Sequence, residues 1–194
     1  MFIEAILISI IIGFLRGGKL RRFKFVNYKT IWVLILGMLI QYILIFLNRI
    51  DEVSSINKIL LYTKPLLIFS YILILIGIVA NIKFKSLWVA LIGFMMNFLV
   101  IITNGWKKPI LLKGIELTNT PGLKEIIEMG NSEIYVPIGK NTKHPMLGDI
   151  IVFSNPYPIS RIISLGDLVI SLGIFTMIQE IMLGEDSVMG GYRF

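Results

Sequence analysis

The sequence contains no cysteine, a single histidine and few charged residues. Charged residues fill 16% of the 194 positions, whereas about a quarter is usual in a soluble domain. The lack of cysteine excludes a disulfide scaffold, and one histidine is too few for the Cys- and His-rich sites that hold zinc. No motif indicates a prosthetic group, so we expect neither a metal nor a cofactor.

Apolar residues, by contrast, are in large excess. They make up 56% of the chain, and the mean hydropathy is +0.82. A disordered chain is poor in apolar residues, and a soluble domain contains about 45–50% of them. The composition therefore predicts an integral membrane protein, with the lipid bilayer as its main partner.

Five apolar runs are candidate membrane spans. They are Phe2–Leu15, Ile31–Leu47, Ile59–Ala80, Leu87–Ile102 and Leu165–Leu183. A helix needs about 20 residues, with a range of about 17–25, to cross a hydrocarbon core about 30 Å thick. The first run is short and the last contains acids near both ends, but terminal charges can reach the interface. We predict an all-α bundle of about five transmembrane helices that forms a single membrane domain over residues 1–194.

Basic residues are concentrated between the first two runs. Segment 16–29 has six basic residues and no acidic one, and so contributes +6 of the net charge of +7. Such loops stay in the cytoplasm and attract anionic lipid head groups. Aromatic residues do not alternate with these charges along a groove, so nucleic acid is not a predicted partner. The expected head-group contacts are Arg16, Lys19, Arg21, Arg22 and Lys24.

The charges also predict an orientation. Glu4 lies at the start of the first run and the basic residues follow the run, which reverses the order of a signal peptide. We therefore expect an uncleaved first helix with its N-terminus outside. Segment 81–86 and the tail 184–194 are then inside, and segments 48–58 and 103–164 are outside.

The long segment 103–164 carries signals of local order. Thr120 and Pro121 are suited to begin a helix and Gly130 to end it, which predicts a surface helix over Leu123–Met129. The predicted extended stretches of this segment are Glu133–Ile138 and Ile150–Phe153. The two prolines of Asn155–Pro158 exclude a regular helix or strand there, so this stretch is predicted to be a loop.

A few polar residues in or near the spans are candidates for a functional site. Ser164 and Asp167 have capping-box spacing at the start of the last run. Asp167 is alternatively an acid that faces a polar cavity, because ionisable groups are costly within a membrane. If Ser164 caps the last helix, we expect Asp167 to form a hydrogen bond with Asn104, which lies at the same membrane depth. The candidate polar cluster is Asn97, Asn104, His144, Asp149, Ser164 and Asp167.

Each of these residues also has a structural interpretation. Asp149 follows a glycine, as Asp167 does, but neither pair has the earlier glycine of membrane aspartyl peptidases, so a turn is favoured over a catalytic dyad. His144 has no supporting hydrolase motif beside it. Asn97, Asn104 and Gln41 are typical of hydrogen bonds between membrane helices. Asn104 with the next two residues also suits the end of the fourth span.

The order of these motifs resembles the domain-of-unknown-function family 5317, small bacterial membrane proteins with several spans. The matching motifs are Leu15–Leu20, Asn97, Asn104–Gly105 with Pro109, His144, Leu147–Ile151 and Ser164–Asp167. The resemblance implies a multi-pass protein of the bacterial cell membrane and implies no reaction.

Two functions from different classes remain open. The first is a non-enzymatic role: transporter-like handling of a solute or lipid, or an accessory subunit with a protein partner. The alternative is a membrane enzyme at the outer leaflet, with Asp149, Asp167 and His144 as acid–base groups. A cavity that reaches the middle of the membrane favours transport. A shallow pocket with paired carboxylates favours hydrolysis, and a solid bundle favours an accessory role.

Overall fold

The computed structural model describes residues 2–26, 28–47, 62–118, 121–157 and 160–187, and it is mostly helical. The helices are α1 (Phe2–Leu15), α2 (Tyr28–Leu47), α3 (Thr63–Ala80), α4 (Ser86–Thr103), α5 (Leu112–Glu116), α6 (Pro121–Glu128) and α7 (Leu165–Leu183). The strands are β1 (Lys108–Ile110), β2 (Tyr135–Pro137), β3 (Ile151–Phe153) and β4 (Arg161–Ile163). Short 3₁₀ helices lie at Leu20–Phe25, Pro145–Leu147 and Gly184–Asp186.

The five long helices coincide with the apolar runs of the sequence. Three stretches, Thr63–Ala80, Ser86–Thr103 and Leu165–Asp186, are long and apolar enough to cross a membrane, while Phe2–Leu15 and Ile31–Leu47 are shorter apolar helices. The start of the third run, most of segment 48–58, Thr120, Pro158 and most of the tail 184–194 lie outside the described residues.

Helix α7 lies between α1 and α4. It packs against both α1 and α4, and Leu172 is its one large apolar side chain that is strongly exposed. The other long helices expose many such side chains, including Ile3, Trp32, Phe69 and Trp88. An apolar exterior of this extent is typical of a surface that contacts a membrane or another protein.

Small residues allow α4 and α7 to approach closely. A Cβ atom at Gly93 would lie 2.6 Å from the Gly166 carbonyl oxygen, and one at Gly173 would lie 2.6 Å from the Ala90 amide nitrogen. Close backbone contact through small residues is the usual way in which helices associate in lipid, where apolar side chains gain little by leaving the solvent.

A buried carboxylate joins the two helices at the other end of α7. Glu180 is 1% exposed. It accepts hydrogen bonds from the backbone amides of Lys85 and Ser86, at 3.2 and 3.1 Å, and from the Ser86 hydroxyl at 2.6 Å. Glu180 therefore caps the N-terminus of α4, where the helix dipole favours a negative charge. Glu180 is thus buried against α4, and its hydrogen bonds are made within the protein.

Polar contacts also fix α1 on α7. The Ser9 hydroxyl donates to the Phe175 carbonyl at 2.8 Å, and the Gln179 side chain donates back to the Ser9 carbonyl. Ser9 is fully buried. These bonds satisfy polar groups that would be costly to leave unpaired in an apolar interior.

The basic loop contacts the C-terminus of α7. The Arg22 side chain and the Lys19 backbone amide both donate to the Met182 carbonyl, at 2.7 and 2.9 Å, and Arg16 donates to the Asp186 carbonyl at 3.1 Å. Cations are favourable at this end of a helix. Two of the five residues expected at lipid head groups thus bond to the protein through their side chains, while the side chains of Lys19, Arg21 and Lys24 are exposed.

Helices α2 and α3 form a second closely packed pair. A Cβ atom at Gly77 would lie 2.5 Å from the Leu34 Cβ, and one at Gly37 would lie 2.9 Å from the Ser70 carbonyl oxygen. Contacts between α3 and α4 are far sparser than those within either pair. Tyr71 of α3 bridges them through its ring, 5.3 Å from that of Phe94.

The segment that connects α4 to α7 is ordered around two small sheets. β1 and β2 are parallel, with Lys108 beside Tyr135, and β3 and β4 are antiparallel. Helix α6 covers most of the predicted surface helix, and Gly130 follows it with φ of +75°. The predicted extended stretches contain β2 and β3. The sequence did not predict β1, α5 or β4, which are short and owe their form to tertiary contacts.

We predict that Gly93→Ala lowers the free energy of unfolding by about 1–3 kcal/mol, because the new methyl group would overlap the backbone of α7. Gly122→Ala in α6 is the matched control, since no atom lies within 4 Å of its added Cβ. Unfolding of the purified protein in detergent measures both. Equal stability of the two variants would contradict the close approach of α4 and α7.

Candidate functional site

A lysine lies between two aspartates near the start of α7. The Nζ atom of Lys108 is 2.6 Å from Oδ1 of Asp149 and 2.9 Å from Oδ2 of Asp167. The three side chains are 13%, 5% and 19% exposed, respectively. We call these residues the Lys108 cluster. It joins strand β1, the stretch that contains Gly148 and Asp149, and the first turn of α7.

Local sequence positions Asp167. Ser164 is the N-cap of α7, and its hydroxyl accepts a hydrogen bond from the Asp167 amide at 3.1 Å. The Asp167 carboxylate accepts in return from the Ser164 amide at 3.1 Å. This is the predicted capping box, and the prediction of the cap is confirmed.

The asparagine partner of Asp167 is Asn97, and the prediction of Asn104 was wrong. The Asn97 amide donates to Asp167 Oδ1 at 2.7 Å, and its oxygen accepts from the Ser164 hydroxyl at 2.8 Å. Asn97 lies about two turns deeper in α4 than Asn104. It reaches α7 because Gly166 has no side chain: a Cβ there would lie 2.3 Å from Asn97 Oδ1.

Asn104 instead ends α4 and fixes the connecting segment. It is the C-cap residue, and its amide donates to the Val100 carbonyl at 2.7 Å. Its side chain also exchanges two hydrogen bonds with the Lys143 backbone, at 2.9 and 3.0 Å. The neighbouring His144 is exposed, has φ of +51° and does not line the cavities described below. These hydrogen bonds join Asn104 to the connecting segment, and they do not link Asn104 or His144 to the Lys108 cluster.

Backbone pairing positions Asp149. Its amide donates to the Pro109 carbonyl at 2.8 Å, and its carbonyl accepts from the Leu111 amide at 2.9 Å. A Cβ at Gly148 would lie 2.5 Å from the Pro109 carbonyl oxygen. Glycine is required there because the two backbones approach so closely. The Gly-Asp pair thus brings a buried carboxylate to Lys108.

The two carboxylates keep Lys108 charged. Burial on its own lowers the pKa of the Lys108 ammonium group. Asp149 and Asp167 outweigh burial and hold that pKa well above its ordinary value. The Lys108 side chain is therefore a cation that contacts both carboxyl groups.

A second ion pair ties α1 to the antiparallel hairpin. Glu4 accepts hydrogen bonds from Arg161 of β4 and from the Tyr157 hydroxyl, the latter at 3.0 Å. The Arg161 guanidinium also lies 5.1 Å from the centre of the Tyr157 ring. The start of α1 therefore lies at the same end of the bundle as the Lys108 cluster.

Two neighbouring cavities extend from the Lys108 cluster into the bundle. The first, of about 260 Å³, has a polar wall that includes Lys108, Asp149, Asp167 and Arg161. The second, of about 80 Å³, lies between the two helix pairs, and most of its walls are apolar. Five residues line both: Phe2, Gln41, Tyr71, Asn97 and Ile170. We call them the outer and inner cavities.

The Lys108 ammonium group contacts both carboxylates, which distinguishes the cluster from a pair of carboxyl groups that share one proton. Such a pair needs two carboxyl groups in contact, so that only one ionises. Among the described residues, no three His, Asp or Glu side chains are grouped so that they could hold a metal ion.

A family comparison gives a match over most of the chain. The model of the Family of unknown function (DUF5317) matches residues 25–179. The chain belongs to this family. The match includes every motif that suggested the resemblance except Leu15–Leu20, which precedes it. No curated protein and no solved structure matches this DUF5317 chain.

The roles of three charged residues of this DUF5317 protein are not visible in the sequence. Lys108 and Arg161 belong to a segment with many scattered charges, and nothing local distinguishes them. Glu180 stands out as an acid near the end of the last apolar run, but nothing local indicates that it caps α4. The available signal for Lys108 was its place shortly after the end of α4, close to the membrane depth of Asp167.

We predict that Lys108→Leu lowers the free energy of unfolding by about 3–5 kcal/mol, because it leaves two buried carboxylates without a cation. Lys113→Leu is the control, because Lys113 is exposed on α5. Unfolding of both variants in the same detergent, beside the wild type, measures the difference.

The effect of Lys108→Leu has a predicted pH dependence. Because the pKa of Lys108 is raised on folding, its contribution is complete below the unfolded pKa of about 10.4 and is lost only as pH rises through the folded pKa. The cost of the variant is therefore the same at pH 7 and pH 9. A cost that disappears by pH 9 would contradict a charged Lys108 in the cluster.

Proposed function

We propose that this protein is a five-span membrane protein that binds a small solute or lipid in the outer and inner cavities, in a transporter-like and non-enzymatic role. The observation that carries the proposal is the pair of cavities that leads from the Lys108 cluster into an apolar space between two helix pairs. Apolar cavities with a few convergent polar groups are typical of ligand sites.

The depth of the cavities supports a role in transport. Asp167 lines the outer cavity and Met177 the inner one, and both belong to α7. Ten residues of helix extend about 15 Å, which is about half of a hydrocarbon core about 30 Å thick. A ligand in the inner cavity would thus lie near the middle of the membrane. A solid bundle, expected of an accessory subunit, would have no such space.

The contacts at the two ends of α7 support the proposed orientation. Arg16 and Arg22 contact the C-terminal end of α7, so the basic loop and that end lie together. Glu4 contacts Arg161, so the start of α1 lies with the connecting segment. If basic loops remain in the cytoplasm, the N-terminus and the connecting segment are outside and the C-terminus is inside.

Cysteine labelling tests this orientation, and the chain has no cysteine of its own. We expect Lys19→Cys and Tyr192→Cys to resist an impermeant thiol reagent in intact cells, and to react once the cells are permeabilised. Lys140→Cys in the connecting segment is the matched positive control. Reaction of Lys19→Cys in sealed cells would reverse the topology.

The enzyme alternative has less support. It requires Asp149, Asp167 and His144 to act as acid–base groups on one substrate. His144 does not line either cavity, and each aspartate is ion-paired with Lys108. Paired carboxylates of this kind resist protonation near neutral pH and are poor general acids.

We predict that water and small solutes reach the cavities, and cysteine reactivity measures this. Ile170 lines both cavities, while Leu172, two residues further along α7, is 54% exposed on the apolar surface. A thiol reacts as its thiolate, which requires water. Ile170→Cys should therefore react with a small impermeant reagent added outside, and Leu172→Cys should not.

The two variants also provide the contrary outcome. An unreactive Ile170→Cys in a protein of normal stability would mean that the cavities are closed to solutes, and the proposed function would fail. Equal reaction of both variants would mean that the reagent also reaches the apolar surface. The reactivity of Ile170→Cys would then no longer support open cavities.

A further inference from the structure

The two cavities differ in polarity, and this difference restricts what they can hold. The wall of the outer cavity includes four charged side chains, while that of the inner cavity includes none. Apart from Gln41, Tyr71 and Asn97, which line both, the inner wall consists of apolar side chains such as Met38, Ile74 and Ile174. A ligand that fills both spaces needs one polar end and one apolar end.

Two buried hydrogen-bond donors at the cavities have no acceptor among the described residues. They are the Gln41 side-chain nitrogen, where the outer and inner cavities meet, and Arg161 Nε, in the outer cavity. A buried donor without a partner is costly, and most such groups are satisfied in native proteins. Both atoms are donors, so the ligand group that they suit is an acceptor oxygen.

The charges of the outer cavity disfavour a charged head group. Lys108 is already paired with both aspartates, and Arg161 is paired with Glu4. An anionic head would have to approach two buried carboxylates that have one cation between them. A cationic head would have to compete with Lys108 and would leave the two donor N–H groups unsatisfied. A neutral hydroxyl or ester oxygen meets neither obstacle.

We propose that the cavities bind a single-chain amphiphile with an uncharged, oxygen-bearing head group, such as a monoacylglycerol. The head lies in the outer cavity, where Gln41 donates a hydrogen bond to it, and the first carbons of the chain lie in the inner cavity between the helix pairs. This inference rests on the proposed function, because it names the class of ligand that the same cavities bind.

The inner cavity has room for only the first few carbons of one chain, because a cavity of about 150 Å³ is filled by a single benzene molecule. Its volume of about 80 Å³ is small beside the outer cavity of about 260 Å³. Within a membrane the chain gains little by moving from lipid to an apolar cavity, because the two surroundings are equally apolar. Selectivity therefore comes from the head group, and Gln41 is the binding residue to test.

The experiment uses the full chain in phosphatidylcholine nanodiscs with three photoreactive probes. Each probe has the same acyl chain with a diazirine on the carbons next to the head group, and the head is glycerol, a free carboxylate or an amine. After irradiation, peptide mass spectrometry distinguishes labels on cavity residues from labels on lipid-facing residues. On α3 these are Ile74 and Ile78 against Phe69 and Val79, which are 49% and 55% exposed.

We expect the monoacylglycerol probe to label Ile74, Ile78 or Ile174, and excess unlabelled monoacylglycerol to suppress this label. The label on Phe69 and Val79 should not saturate, since it reports partition into lipid. Gln41→Leu should reduce the cavity label about two- to tenfold, as expected for one hydrogen bond. Tyr42→Leu, at a neighbouring position that is 69% exposed, should leave it unchanged.

The outcomes separate this inference from the proposed function. If the carboxylate or amine probe labels the cavities as well as the glycerol probe does, the inference about the head group is wrong and the cavities still bind amphiphiles. If labelling is unaffected by Gln41→Leu, the assigned hydrogen bond is wrong. If no probe gives a saturable cavity label while Ile170→Cys remains reactive, the cavities bind solutes and not amphiphiles. Failure of both experiments would overturn the proposed function as well.

Discussion

The structure depends on two carboxylates of α7 that both bind α4. Asp167, in the first turn of α7, accepts from Asn97, and Glu180, near the last turn, accepts from the backbone and hydroxyl of Ser86. Thirteen residues of helix separate the two acids, a distance of about 20 Å. Apolar side chains cannot align helices with such precision in lipid, because they pack almost equally well against one another and against acyl chains. The two polar contacts therefore set the register of α4 and α7, and the glycines between them allow the close approach.

This fixed pair determines where the cavities lie. α1 packs on α7 through Ser9 and Gln179, so three helices form one unit around α7. The closely packed α2 and α3 form the other unit, and Tyr71 contacts α4 through aromatic rings. Few contacts join α3 to α4. The space between the units continues to the Lys108 cluster, because the connecting segment places β1 and the Gly148–Asp149 bridge there.

Local signals in the sequence were sufficient for the helices and for the cap of α7. The apolar runs define the long helices because burial in lipid requires a continuous apolar stretch, and Ser164 and Asp167 form a motif within four residues. The partner of Asp167 could not be obtained in this way. Depth along the helices favours Asn104, and the contact with Asn97, about two turns away, depends on the absence of a side chain at Gly166 in the other helix. Lys108 and Glu180 follow the same rule: their roles arise from residues more than 40 positions away.

The position of α7 between α1 and α4 has a consequence for folding. Of the described long helices, α7 is the last to leave the ribosome, and domains begin to form from the N-terminus during synthesis. Until α7 is made, Ser9 of α1 and Asn97 of α4 have no α7 partner, and the N-terminus of α4 lacks the Glu180 carboxylate. The contacts that join α1 to α4 through α7 therefore form late, after the helices on either side of it have been synthesised.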